Sequence, residues 1–335
     1  MIFEGKSLKV LITTVPFGQK DTQPLENLNN AGIEYLINPI NRKLDEDEIA
    51  SIIGEYDAVI AGTEPITDRV LESAPKLKLI SRVGIGLDSV DLSSAKRRGI
   101  EVSYTPDAPS PAVAELTVGL MLALLRSTHR SNMEMHNGQW HRYFGKRLSE
   151  CVVGIIGAGR IGSRVVGLLS GFGCNEVKVN DLNMTSEICS DVNWEWCDKV
   201  SIYREADIIS LHVPLNSKTR GMISRKELLM MKSHAYLINT SRGGIVDEDD
   251  LSNVLSEGHL GGAAIDVFEK EPYAGPLTSI DRCLLTAHMG SMSEDCRARM
   301  EIEATEEVVR FCKGIPLTHQ VPMEEYVNQK LELDR

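Results

Sequence analysis

Arg242, Glu271 and His288 are far apart in the chain, yet each sits in a short segment that reads as a strand end or the loop after it. Their types make a set: a guanidinium to clamp an anion, an imidazole to pass a proton near neutral pH, and a carboxylate to tune the imidazole. Such a set suits proton and hydride exchange at a carbonyl carbon that carries a carboxylate neighbour. Asn239-Thr240-Ser241-Arg242-Gly243-Gly244 follows an apolar run, so Arg242 is expected at the carboxyl end of a sheet, where open α/β folds bind ligands. Its guanidinium can pair with a carboxylate through two N–H groups while another reaches a carbonyl oxygen. Asp266-Val267-Phe268-Glu269-Lys270-Glu271-Pro272 and Leu285-Thr286-Ala287-His288-Met289-Gly290 leave two further strands in the same way. An unperturbed imidazole titrates near about 6.5, and a neighbouring carboxylate favours its charged form, so Glu271 is expected to raise the value at His288. A lone strand-end histidine is more often structural than catalytic. Three such residues on neighbouring strands reverse that expectation.

The elements that must position them begin with Gly157-Ala158-Gly159-Arg160-Ile161-Gly162. A bare GxGxxG is weak evidence, but here it follows an apolar strand, opens a helix, and is followed by Asp181 at the end of the next strand. Gly157 permits the tight turn, Gly159 lets backbone approach a pyrophosphate, and Gly162 allows close helix packing. The helix N-terminus adds unpaired N–H groups and a positive dipole end. Asp181 would accept hydrogen bonds from ribose hydroxyls and repel a 2′-phosphate, so NAD(H) is expected rather than NADP(H).

Short strands alternate with helices twice along the chain. The first run covers about residues 8–103; after the breaker cluster Thr105-Pro106-Asp107-Ala108-Pro109-Ser110-Pro111 and an apolar helix over 112–126, the second covers 152–287. Each run implies parallel βαβ units, hence an α/β chain of two doubly wound parallel sheets. The expected division is a smaller, flavodoxin-like substrate-binding domain, 1–105 with 298–335, around a Rossmann NAD-binding domain, 106–297. The final helix, over 298–312, crosses back to the first domain, and 321–335, polar and acidic, reads as a loosely held tail. The helix over 112–126 is apolar nearly all round, which means burial on more than one side, either wholly in the core or with one face on a second subunit.

With 335 residues, 42% hydrophobic and 25% charged, the chain can bury two cores. A formal charge of −12 disfavours nucleic acid, so a small anionic ligand must be caught by a few local arginines. No window is long and apolar enough for a bilayer span, and the first fifteen residues do not read as a signal peptide. Seven cysteines without a CxxC pair point to reduced thiols in a cytoplasmic protein, and eight scattered histidines suggest no metal site.

The motifs together resemble the D-isomer-specific 2-hydroxyacid dehydrogenases of the phosphoglycerate, glycerate and D-lactate dehydrogenase superfamily, over about residues 8–320. The resemblance is carried by Gly154-Ile155-Ile156-Gly157-Ala158-Gly159-Arg160-Ile161-Gly162, His212-Val213-Pro214-Leu215, Asn239-Thr240-Ser241-Arg242-Gly243, Asp266-Val267-Phe268 with Glu271-Pro272, and His288-Met289-Gly290-Ser291. It implies that Arg242 clamps substrate, that Glu271 partners His288, and that His288 is the acid and base. It also places Arg160, Ile161, Asp181, His212, Val213, Pro214, Thr240 and Asp266 at the cofactor, with Asp266 near the nicotinamide carboxamide. Ser81-Arg82-Val83-Gly84-Ile85-Gly86-Leu87-Asp88 resembles the family loop whose backbone N–H groups hold the substrate carboxylate, which assigns Arg82, Val83 and Gly84 to substrate. Departures fall at Glu150-Cys151, where a Gly-Lys pair is common, and at Tyr104, where an asparagine often stands. The resemblance implies an NAD-dependent 2-oxo acid reductase acting on a small, and in some relatives phosphorylated, 2-oxo acid; a homodimer through the apolar helix over 112–125 is expected from that helix. Phosphite oxidation and non-catalytic NAD sensing are the alternative uses of the same fold.

Overall fold

A computed structural model describes residues 8–183, 188 and 192–333. Cys189, one of the expected free thiols, and residues 1–7, 334 and 335 lie outside the described residues. The chain divides into two compact units, Met1–Pro109 with Met292–Arg335, and Ser110–Ser291.

The first unit alternates β1 (Lys9–Ile12), α1 (Gln23–Asn30), β2 (Glu34–Ile37), α2 (Glu46–Ile52), β3 (Ala58–Ala61), α3 (Asp68–Glu72), β4 (Leu79–Arg82), α4 (Leu92–Arg97) and β5 (Glu101–Ser103). Its helices start where short polar side chains can satisfy free amides: Asp45 accepts from the Glu48 amide and Glu48 answers the Asp45 amide, while Thr67 and Asp91 cap α3 and α4. The five strands are all parallel in the order β2-β1-β3-β4-β5, a flavodoxin-like arrangement whose topological switch lies between β1 and β3. β3 and β4 are buried along their whole length, as expected of central strands covered on both faces.

The second unit contains α5 (Ser110–Leu125), α6 (Thr128–His136), β6 (Val152–Ile156), α7 (Arg160–Ser170), β7 (Glu176–Asn180), β8 (Trp194–Trp196), α8 (Lys199–Glu205), β9 (Ile208–Leu211), α9 (Arg225–Met230), β10 (Tyr236–Asn239), α10 (Glu248–Ser256), β11 (Gly262–Ile265) and β12 (Cys283–Leu285). Its seven parallel strands run β12-β11-β10-β9-β6-β7-β8, so the order reverses between β6 and β9. That is the doubly wound nucleotide-binding order, and ligands of such sheets sit beyond the carboxyl ends at the reversal. The two doubly wound sheets expected from the alternation are therefore present. β8, α6 and α8 were not anticipated. α5 is mainly a core helix: Val113, Ala114, Thr117, Val118, Leu120, Met121, Leu124 and Leu125 are buried, and only Glu115 and Gly119 are exposed within it. No single described helix is long and apolar enough to cross a membrane.

The chain returns to the first unit through α11 (Glu294–Cys312) and α12 (Met323–Leu333). α11 starts four residues earlier than the expected Ala298, because Ser293 accepts the Cys296 amide and fixes the first turn. The expected loose tail is corrected. Val321 is buried, its amide donates to the Val102 carbonyl, and α12 lies along α4 with Gln329 accepting from the Leu92 amide at 2.6 Å and donating to the Val90 carbonyl at 2.8 Å.

Candidate active site

Three neighbouring strands deliver the three residues to one edge of the second sheet. β10 pairs with β11 and β11 with β12 in parallel register, Asn239 opposite Ile265 and Ile265 opposite Leu285. Arg242, Glu271 and His288 all follow the carboxyl ends of these strands. The His288 Nδ1 lies 3.0 and 2.9 Å from the two carboxylate oxygens of Glu271, with both side chains partly buried. A carboxylate only accepts, so Nδ1 carries the hydrogen, and proton exchange with a ligand falls to Nε2. Glu271 is itself aimed by the Phe268 amide, which donates to it at 3.1 Å. His288 has φ 51, a left-handed conformation that costs an ordinary residue about 1–2 kcal/mol, so its turn must be held by other contacts.

The Arg242 turn is built on Asn239. The Asn239 side chain accepts from the Ser241 amide and hydroxyl and donates to the Arg242 carbonyl at 2.9 Å, an Asx-type turn that fixes the backbone bearing the guanidinium. The next residue, Gly243, packs against the Phe268–Glu269 peptide so closely that a Cβ would fall 2.0 Å from the Phe268 carbonyl carbon. The Arg242 and Glu271 loops thus touch backbone to backbone. Nothing in the linear pattern beyond the paired glycines signals this contact.

At the reversal between β6 and β9, Gly157 has φ 97 and a Cβ there would lie 2.3 Å from the His212 carbonyl oxygen, while a Cβ at Gly162 would lie 1.9 Å from the Gly157 oxygen. Both glycines are required by close approach. At Gly159 a Cβ would meet nothing within 4 Å, which leaves an open cradle at the start of α7. The first turn of a helix offers amides without intrahelical acceptors, so this cradle fits a pyrophosphate. Asp181 stands beside it, one oxygen accepting the Ala158 amide at 2.6 Å. Burial pushes the His212 imidazole down to about 3, so the ring is neutral; its Nε2 meets the Ser210 hydroxyl at 2.8 Å and its Nδ1 is an orphaned buried atom. The Thr240 hydroxyl is 2.8 Å from that of Thr117, which ties the β10 end to α5. Val213 is half-buried and Pro214 exposed at the same edge, and Arg160 and Ile161 open α7.

Two groups of expected ligand contacts are engaged with the protein's own groups in this structure. Asp266 is wholly buried, and its carboxylate accepts from the Thr286 hydroxyl and the Met289 and Gly290 amides, so it faces the turn bearing His288 rather than open space. In the first unit the Val83 amide donates to the Ala61 carbonyl as a continuation of the sheet, and the Gly84 amide donates to the Thr105 hydroxyl at 2.7 Å. Neither amide is open to a carboxylate. Arg82 is buried and folds an Nη1 back onto the Ala61 and Val83 carbonyls at 3.4 and 3.1 Å.

Residues 118–290 match the model of the D-isomer specific 2-hydroxyacid dehydrogenase, NAD binding domain. The chain is 36% identical over 294 residues to the D-3-phosphoglycerate dehydrogenase of Methanocaldococcus jannaschii, covering 86% of this chain and 56% of that protein. It is 34% identical over 302 residues to the hydroxypyruvate reductase of Thermotoga maritima, covering 88% and 95%. It belongs to the D-isomer-specific 2-hydroxyacid dehydrogenase family. Among solved structures, the TT0316 protein of Thermus thermophilus superposes with a TM-score of 0.86 at 30% identity, covering 94% of this chain and all of that one. The chain spans little more than half the length of the phosphoglycerate dehydrogenase and nearly all of the reductase. As in other family members, the second unit is an NAD-binding domain, and the open Gly159 cradle and neutral His212 fit that cofactor.

Proposed function

We propose that this family member is an NAD-dependent oxidoreductase that interconverts a small 2-oxo acid and its D-2-hydroxy acid. The observation that carries the reading is the His288–Glu271 pair, with the Nδ1 hydrogen committed to the carboxylate and Nε2 left for substrate. When bound, the nicotinamide supplies or receives the hydride at C2. In the reducing direction, charged His288 gives its Nε2 proton to the carbonyl oxygen while Glu271 holds the ring orientation and balances the charge. Arg242 holds the substrate carboxylate, and with the Val83 and Gly84 amides already used, the guanidinium is the main anion clamp in this reading. In the oxidising direction neutral His288 removes the hydroxyl proton. A positioned general acid contributes about 10²- to 10⁴-fold, and that is the loss expected for His288→Ala.

Asp181 beside the cradle supports NAD(H) over NADP(H), because a 2′-phosphate would meet its carboxylate. The working form is a homodimer in this reading. α6 has no buried residue, and Trp140 and Phe144 on the segment after it are 76% and 104% exposed, an apolar surface that a second copy of the chain would cover. Sedimentation of the purified chain tests this, with a monomer at micromolar concentration as the contrary result. The reaction is tested by following NADH oxidation with a panel of 2-oxo acids, unsubstituted, hydroxylated and phosphorylated. Turnover that needs a 2-oxo acid and collapses in His288→Ala is expected; wild-type turnover in that variant would overturn the reading.

A further inference from the structure

At the carboxyl edge of the first sheet, β3 ends at Ala61, and three residues on, Glu64 is only 2% exposed although Thr63 before it is exposed. The segment is pinned just beyond: the Ile66 amide donates to the Ser89 carbonyl at 2.7 Å, and the Ile66 carbonyl accepts the Asp91 amide at 2.9 Å. The other buried acids described in this unit are matched by donors. Glu301 accepts the Gly18 amide and the Arg297 Nε, and Glu307 accepts the Thr318 and His319 amides. Glu64 Oε2, in contrast, is enclosed with no hydrogen-bond partner among the described residues. A carboxylate held out of water without a donor is costly, so a position that keeps one points to a donor brought by a ligand.

The surroundings of Glu64 narrow the donor. Thr14 follows β1 and Glu64 follows β3, the two strands between which the order reverses, and ligands of doubly wound sheets sit beyond the carboxyl ends at that place. A Cβ on Gly62 would lie 2.7 Å from Thr14 Oγ1 and 2.8 Å from Glu64 Oε2, so both oxygens crowd one face of the glycine. Thr14 Oγ1 accepts from Arg297 Nη2 at 3.1 Å, and the same nitrogen donates to the Pro16 carbonyl at 2.5 Å. A ligand ammonium would be set beside that guanidinium, and a phosphate beside the Glu64 carboxylate; a neutral hydroxyl meets neither repulsion. We propose that Glu64 is a specificity-determining residue: it accepts a hydrogen bond from a hydroxyl that the 2-oxo acid carries on C3, and it disfavours acids phosphorylated there. The proposal rests on the reading of the chain as a 2-oxo acid reductase and deepens it by choosing among small substrates.

Three acids of one skeleton test this: pyruvate, 3-hydroxypyruvate and its 3-phosphate, each read as kcat/KM for NADH oxidation. The change of a ratio on mutation cancels their differing intrinsic reactivity. Glu64→Gln keeps the shape and an acceptor oxygen but not the charge, whereas Glu64→Met keeps neither charge nor acceptor. Glu64→Gln should raise the phosphate-to-hydroxyl ratio by about tenfold or more and leave the hydroxyl-to-methyl ratio within about threefold. Glu64→Met should lower the hydroxyl-to-methyl ratio by about tenfold or more. The NADH dissociation constant, read by fluorescence, should stay within about threefold in both. Ratios unchanged in both variants, at whatever melting temperature, overturn the proposal and make Glu64 structural; so does a wild-type protein that prefers the phosphate to the hydroxyl. If the wild-type chain reduces none of the three acids, the catalytic reading falls, and calorimetric titration of D-glycerate and D-lactate into the NADH complex still decides Glu64. A glycerate-to-lactate affinity ratio that Glu64→Met lowers upholds its role, and an unchanged ratio overturns it.

Discussion

Gly243→Ala tests whether the Arg242 and Glu271 loops are mechanically joined. An added Cβ would stand 2.0 Å from the Phe268 carbonyl carbon, 2.1 Å from its oxygen and 2.4 Å from the Glu269 nitrogen. All three obstacles are backbone atoms, so no side chain can rotate away. Ordinary contact begins at 3.4 Å, which obliges the two loops to part by about 1.4 Å. Overpacking of this sort costs about 1–3 kcal/mol of stability, and for a unit of this size each kcal/mol lowers the melting temperature by about 2–4 °C. The larger effect falls on rate. The displaced segments bear Arg242 on one side and Glu271 on the other, and a misplacement of about 1 Å in a reacting constellation costs on the order of 10²-fold. NADH binding, which rests on the separate Gly157 turn, should change little. The assay is 2-oxo acid-dependent NADH oxidation beside a thermal melt and an NADH titration. A variant that melts several degrees lower yet keeps wild-type kcat would show that the loops move independently and would refute the reasoning.

Asp181→Ala should raise the ratio of NADPH to NADH use, read as kcat/KM, by about tenfold, which corresponds to about 1.4 kcal/mol, and an unchanged ratio would remove Asp181 from cofactor choice. Asp207 lies under β6; burial alone would raise its carboxyl, but hydrogen bonds from the Val152 amide, His234 and Lys232 outweigh that and hold it below the usual range. With the folded value below the unfolded one, its stabilisation is complete above about pH 4 and is lost as pH falls through the folded value. Asp207→Asn should therefore weaken the protein to urea at pH 7 and differ less from wild type at pH 3; a gap that stays constant across that window contradicts the assignment. Gln329→Ala deletes the bonds to the Leu92 amide and Val90 carbonyl, worth about 1–3 kcal/mol together, and hydrogen exchange at Leu92 should quicken. Unchanged protection would mean that α12 is held without them.

The alternation of short apolar strands and helices made both sheets legible, because a doubly covered parallel sheet writes continuous runs such as residues 58–61 and 208–211 directly into the sequence. The glycine turn was legible for a similar reason: close backbone approach at Gly157 and Gly162 admits no other residue type. What escaped is tertiary. Trp194–Trp196 is a three-residue edge strand too short to carry a period. α12 reads as a polar tail because few of its groups dock: Tyr326 packs on the first unit's core, and the Gln329 amide meets the Leu92 amide and the Val90 carbonyl, a contact no hydrophobic pattern records. The Val83 and Gly84 amides looked available because their acceptors, the Ala61 carbonyl and the Thr105 hydroxyl, come from other segments of the chain. Asp266 has the same ambiguity: a strand-end aspartate serves a ligand, a loop or both, and its bonds to Thr286, Met289 and Gly290 come from another segment of the chain.

These contacts make the candidate site one braced block rather than three independent side chains. Asn239 fixes the Arg242 turn, Gly243 presses that turn against Phe268, the Phe268 amide aims Glu271, Glu271 holds the His288 ring, and Asp266 holds the His288 backbone. Three of these braces cross between adjacent strands, Gly243 on Phe268, Glu271 to His288 and Asp266 to the His288 turn, so the rigidity of β10, β11 and β12 is passed to the loops. Losing any one brace should then shift the others, and losing two should cost less than the sum of the separate losses. A set of residues acting independently would instead give additive losses. Gly243→Ala combined with Glu271→Gln distinguishes the two cases: a double variant no worse than about tenfold below the poorer single variant supports the braced block, whereas full multiplication of the two losses would show that the loops act separately.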